Sequence, residues 1–161
     1  MTTTTPETTY VAEPGSYEAT TTAVIDAPRE AVFRCFTEPD LIVQWWAPPK
    51  YTVEVDAFDP TPGGGWRFLV LDEDGKEDAA FRGVCHDVVP NESICQTFEW
   101  EGLPGHVCLQ TATFEEVDGG TRVTEQAVFQ SVADRDGMSE SGMKEQAPVG
   151  MAKLAEVARS L

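Results

Sequence analysis

From Thr52 to Gln130 apolar and polar positions alternate in six segments: TVEVDAF, WRFLVLD, AAFRGVCHDVV, SICQTFEW, HVCLQTATFEEV and TRVTEQAVFQ. A period of two places successive side chains on opposite faces, so each segment predicts a strand with one face buried. The breaks between them are DPTPGGG, EDGK, PNE, EGLPG and DGG, all turn chemistry. Strands joined by such short turns pair as an antiparallel meander. Ahead of them, Tyr17 to Ile25 (YEATTTAVI) has the β-branched density of another strand and stops at Asp26-Ala27-Pro28. Two short helices follow. Pro28 suits a first helical turn, with Val32, Phe33 and Phe36 on one face. Thr37-Glu38-Pro39 opens the second helix, with Leu41 and Trp45 on a shared face, and Ala47-Pro48-Pro49 ends it.

The apolar face of the meander needs a cover, and Asp134 to Leu161 predicts a long C-terminal helix that supplies it. Ala147, Met151, Leu154, Ala158 and Leu161 recur at spacings of four and three. Pro148 lies inside this helix and removes one of its hydrogen bonds, which predicts a kink near Lys144 to Gln146 or a break into two helices. Trp45 and Trp46 are adjacent. Neighbours on a helix point about 100° apart, so the pair marks a corner where the element ends.

Composition changes this picture little, and charge changes it more. The 161 residues suit one domain, read as residues 17–161 behind a disordered Thr-rich tail over 1–16. Eleven Lys and Arg against 28 Asp and Glu leave a net charge of -17, which argues against nucleic acid and anionic lipid surfaces as partners. Cys35, Cys85, Cys95 and Cys108 have no metal-ligand spacing and read as buried thiols, so no metal and no cofactor are expected. The N-terminus lacks a basic start followed by an apolar run, and no 18-residue apolar stretch occurs, so the expected location is cytoplasmic with no membrane insertion. Oligomeric state, including a homodimer, stays open.

Candidate chemistry is sparse. Alternation groups His106, Cys108, Gln110, Ala112 and Phe114 on one face of a strand. If Phe114 faces the core, Gln110 and His106 do too, and both are candidate ligand-orienting or catalytic groups, with Glu99 as a further orienting candidate. His86 and Asp87 are strand neighbours on opposite faces and form no dyad. No G-x-S-x-G, G-x-G-x-x-G or P-loop occurs. The better signal is aromatic: Phe58, Trp66, Phe68, Phe81, Phe98, Trp100 and Phe114, with Met138, Met143 and Met151, describe an interior of flat rings and flexible thioethers. Such an interior either packs solid or admits an apolar guest.

Several stretches carry a family resemblance: IDAPREAVFRCFTEPDLIVQWW at 25–46, FDPTPGGGWRF at 58–68, EDGKEDAAFRGVCHDVVPNESI at 73–94, TFEEVDGGTRVTEQ at 113–126 and SVADRDGMSESGM at 131–143. In that order they resemble the START-like (SRPBCC) superfamily, in the branch similar to the C-terminal domain of the activator of the heat-shock protein 90 ATPase. The resemblance implies an α+β helix-grip fold in which a curved antiparallel sheet of six to seven strands wraps a long C-terminal helix. It also implies a cavity between sheet and helix, with Trp45 and Trp46 at one end, one ring in the core and one at the opening. The expected partner is then a small lipophilic molecule, contacted by Trp45, Trp46, Trp66, Phe68, Phe81, Phe98, Trp100, His106, Gln110, Met138, Met143 and Met151. Two other readings stand beside it: a cyclase or dehydratase acting on a polyketide-like substrate, and a chaperone-associated or stress-response interaction protein. The family often has Glu-Gly-Trp after its Gly-Met, whereas Gly142-Met143 here is followed by Lys144-Glu145-Gln146.

Overall fold

All the alternating segments enter one antiparallel sheet, which the computed structural model describes together with its helices over residues 5–161. In chain order the elements are β1 (Thr8–Val11), β2 (Glu18–Ile25), α1 (Arg29–Thr37), α2 (Pro39–Ile42), β3 (Thr52–Phe58), β4 (Gly65–Leu71), β5 (Glu77–Val89), β6 (Ser93–Trp100), β7 (Val107–Val117), β8 (Gly120–Val128), α3 (Val132–Met138) and α4 (Lys144–Arg159). The strand order is β1-β2-β8-β7-β6-β5-β4-β3, so β3 to β8 form an uninterrupted meander and β2 closes against β8. This is the α+β helix-grip arrangement, with eight strands rather than six to seven.

The eighth strand comes from the segment expected to be disordered. Thr8 to Val11 pairs antiparallel with Thr20 to Ala23 of β2, and Tyr10 fixes it further by a 2.7 Å hydrogen bond between its hydroxyl and that of Ser139. Residues 1–4 of that tail lie outside the described residues.

The turns follow from their chemistry. At the β4–β5 hairpin, Asp72 Oδ1 accepts from the backbone N–H groups of Asp74 and Lys76, and Gly75 takes a positive φ of 78°. In the Gly63-Gly64-Gly65 run, a Cβ on Gly64 would stand 2.1 Å from the Asp59 carbonyl oxygen, so only glycine lets the chain fold back so closely before β4.

The C-terminal helix is broken, as Pro148 led us to expect, but at a different place. Ser131 caps α3 by accepting from the Asp134 N–H at 3.0 Å. After α3 an irregular turn, Ser139–Met143, carries Gly142 at φ +105°, and α4 starts directly behind it with Pro148 inside. The interruption is therefore the left-handed glycine, six residues ahead of the proline. Leu161, expected on the packed stripe, lies beyond the helix end and is exposed.

One face of the sheet carries the core. Val32 and Cys35 of α1, Leu41 and Ile42 of α2, and Met151, Leu154, Ala155, Val157 and Ala158 of α4 pack with Ile25, Trp66, Phe68, Ile94, Phe114 and Val123. A second, smaller cluster, Ala19, Cys108 and Phe129 with Met138 against them, sits toward α3. Between the two clusters the inner face of the sheet is less completely covered.

Candidate functional site

The site is built on that intervening part of the inner face. Its first wall is the tryptophan corner. The second helix ends at Ile42 rather than at Ala47, and in the turn after it Trp45 is buried and donates its indole N–H to the Cys35 carbonyl at 2.9 Å, which ties that turn to α1. Trp46 points elsewhere: it is half-buried and meets Trp66, Phe68 and Phe81 edge-on at centroid distances of 6.2, 5.1 and 5.4 Å. Phe81 and Phe98 stack at 5.2 Å and are half-buried as well. Edge-to-face rings of this kind add directionality to simple apolar burial. Trp66 lies over Gly83, where a Cβ would come within 2.4 Å of its Nε1, and that buried N–H has no hydrogen-bond partner.

The floor is polar and comes from strand register. Cys85 of β5 stands opposite Gln96 of β6, and Gln96 opposite Gln110 of β7. Gln96 donates from Nε2 to Gln110 Oε1 at 3.5 Å, and the Cys85 thiol lies 3.8 Å from Gln96 Oε1. Gln110 in turn stands opposite Ala127 of β8, and two positions away on the same face of β8 is Glu125, flanked by Ala112 on β7 and Thr21 on β2. The inner face thus carries a diagonal of Cys85, Gln96, Gln110 and Glu125 between two apolar clusters.

Coverage along this diagonal is incomplete. Cys108, Ala112, Phe114 and Val123 on the same face are buried, whereas Gln96, Phe98, Gln110 and Glu125 are only half-buried. The cause is the broken helix. Along α4 the side chains become buried only from Met151 onward, while residues 144–146, 148 and 149 are exposed and Met143 is 37% exposed. What remains is a half-covered strip of the inner face, a recess whose surface carries Gln96, Phe98, Gln110 and Glu125. Two surface grooves lie elsewhere: one of about 460 Å³ between β1 and α3, bordered by Tyr10, Glu13, Arg135 and Ser139, and one of about 360 Å³ beside Arg29, Glu116 and Asp118.

Glu125 is the feature that reading the sequence missed. It is half-buried, yet burial alone pushes its carboxyl pKa up to about 7. No side chain among the described residues hydrogen-bonds to it, and no charged group contributes to the shift. A carboxyl crowded by its neighbours and given no hydrogen-bond donor in exchange holds its proton to higher pH. The signal was present in the chain: Thr121, Val123, Glu125, Ala127 and Phe129 share one parity, and an acid in that series is out of place.

This carboxyl sets a pH dependence. A folded pKa above the unfolded value favours the folded state most at low pH. That contribution is fully present below about 4.5 and is lost as pH rises through about 7. The Glu125→Gln variant is therefore expected to melt at the same temperature as the parent at pH 4.5 and about 2–6 °C higher at pH 8, corresponding to roughly 1–2 kcal/mol after screening. Paired scanning calorimetry at the two pH values checks it; equal melting at pH 8 would refute the assignment of a desolvated carboxylate.

The structure distributes the other predicted residues unevenly. Trp46, Trp66, Phe68, Phe81, Phe98 and Gln110 come together in or beside the recess, while Trp45 and Met151 belong to the main core and Met138 to the smaller cluster. Trp100 is 47% exposed, with its indole over Gly102. His106 precedes β7, is exposed, and has Nδ1 2.8 Å from Asp134 Oδ1. Glu99 faces the outer side of the sheet, where Arg82 at 2.7 Å and the Gly105 N–H at 2.7 Å hold its carboxyl below the usual range. Cys35, Cys85 and Cys108 are buried free thiols and Cys95 is half-buried. Burial raises the Cys35 and Cys108 thiols to about 11 and about 12. Among the described residues no cluster of three or more His, Cys, Asp or Glu has metal-binding geometry, and no helix is long and apolar enough to cross a membrane.

With the geometry in hand, the chain can be compared with known proteins. The sequence pattern of the family described as Activator of Hsp90 ATPase homolog 1-like protein matches residues 26–159. The chain belongs to this family. It is thereby a member of the activator-like branch of the START-like (SRPBCC) superfamily. Solved structures agree on the fold. A Mycobacterium smegmatis protein superposes with a TM-score of 0.82 at 22% identity, over 92% of this chain and 94% of its own. A Rhodobacter sphaeroides protein gives 0.86 at 20% identity, over 96% and 99%, and an Arthrobacter aurescens protein 0.84 at 19%, over 95% and 92%. No curated protein matches the chain. In this member of the activator-like family the C-terminal helix breaks at Gly142 and the acid at position 125 stands on the inner face of the sheet.

Proposed function

We propose that this protein binds a small, largely lipophilic molecule in the recess between the sheet and residues 139–150. The observation that carries the reading is the coexistence, on one inner face, of half-buried aromatic rings and half-buried polar groups between two buried clusters. A face built only for packing would bury its phenylalanines and exclude its glutamines; an apolar wall with a few convergent polar groups is the usual design of a small-molecule site. Family membership supports the same reading, since the superfamily's architecture sets a helix across a sheet.

The half-covered inner face favours a small guest, or one whose entry moves the largely exposed residues 144–149 outward. Trp46 and Trp66 border it and supply an intrinsic reporter. Titration with aliphatic and aromatic amphiphiles is expected to change tryptophan emission saturably and raise the melting temperature. The Trp46→Phe variant should keep the melting shift and lose most of the emission change. A panel spanning alkyl chains, sterols and polycyclic aromatics that produces neither signal would refute the binding function.

A further inference from the structure

Resting on that reading, we infer that the molecule bound here carries a basic amine, and that Glu125 receives it as an ammonium group beside Gln110. Three observations converge. Glu125 lies half-buried on the inner face of the sheet with no hydrogen bond from any described side chain, and an acid partly withdrawn from water without a partner is costly unless a ligand satisfies it. Second, among the described residues no cation occupies the strand positions beside it. From β7 it faces Ala112 and Gln110, from β2 Thr21, and beyond Thr21 on β1 Tyr10, whose hydroxyl is bonded to Ser139. The inner-face positions of β6, Ile94, Gln96 and Phe98, are uncharged.

The nearby cations are turned to other partners. Arg135 of α3 is buried against the Glu13 and Glu18 carbonyls and Asp136, and Lys153 of α4 donates to the Ala47 carbonyl at 3.2 Å. Lys144 and Glu145 of α4 and Glu140 of the preceding turn are exposed. Third, the net charge of -17 raises the local concentration of cations around the molecule and disfavours an anionic ligand entering the same recess. The apolar remainder of such a ligand would lie along Phe98, Phe81 and Trp46, which continue the floor toward the tryptophan corner.

Calorimetric titration with decylamine, decanol and decanoate at about physiological salt tests the inference, because the three probes share a chain and differ in head group. At pH 8 decylamine should bind about tenfold or more tightly than decanol, and decanoate least. Lowering the pH to 5.5 protonates Glu125 while the amine stays charged, so decylamine affinity should fall about tenfold and decanol affinity should not. In the isosteric Glu125→Gln variant, whose folding is checked by its melting transition, the amine preference and its pH dependence should disappear while decanol binding persists. Equal affinities for amine and alcohol, or an amine preference that survives Glu125→Gln and so reflects the acidic surface, would overturn this inference and leave lipophilic binding standing. Failure of all three probes to bind would instead count against the recess as a binding site.

Discussion

Leu154→Ala is expected to destabilise the protein by about 3–5 kcal/mol, enough to leave a substantial unfolded fraction at 37 °C in a domain of ordinary stability. Leu154 is fully buried and lies at the centre of the half of α4 that holds the sheet. Because the chain breaks at Gly142 and the first turns of α4 are exposed, the helix's apolar anchor is Met151, Leu154, Ala155, Val157 and Ala158. Removing a large, fully buried aliphatic side chain from so short an anchor leaves a cavity that neighbouring strands can fill only by distorting their ladder. The exposed Val149, one turn earlier on the same helix, provides the contrast: Val149→Ala should cost less than about 0.5 kcal/mol. Urea denaturation of the two variants measures both, and similar costs would mean that the N-terminal turns of α4 carry more of the packing than their exposure indicates.

The second large effect is expected at Phe68, the ring at the centre of the aromatic wall. It is 2% exposed and touches Phe58, Trp66 and Trp46 at centroid distances of 5.5, 5.0 and 5.1 Å. Phe68→Ala should cost about 3–5 kcal/mol, from lost transfer energy, the void left behind and three broken ring contacts. Its effect should also be spectroscopic, since Trp46 and Trp66 both lose a neighbour and their emission should shift to longer wavelength in the folded variant. Trp100→Ala, at a half-exposed ring on the same face near the strand end, should cost less than about 1.5 kcal/mol. A ranking of the two in the opposite order would show that the wall is not a mechanical part of the core.

These expectations rest on parts of the fold that differ in how openly the chain declares them. The meander was legible because the period-two alternation and turn residues of β3 to β8 agree at every break, and short antiparallel connections leave little topological choice. β1 was not, since four residues rich in threonine have no apolar run and acquire their strand only by pairing with β2. At the C-terminus the proline drew attention because it is the stronger helix breaker, yet the break belongs to Gly142, whose left-handed φ no propensity scale announces. His106 has the parity of the inner face but stands just before the ladder starts, where Asp134 takes its ring. Glu125 had the correct parity too, and it is the neighbouring strands rather than its own segment that enclose it. The aromatic wall could be named residue by residue, whereas the gap beside it depends on where one helix turns.

The two lateral boundaries of the sheet also bear on behaviour at high concentration. One is β1, only four residues long; the other is β3, which has a register irregularity between Val55 and Ala57 and carries Glu54 and Asp56. Brevity on one side, and a bulge with carboxylates on the other, deny a second molecule a flat template for backbone pairing. Resistance to edge-to-edge association is thus written into the rim of the sheet.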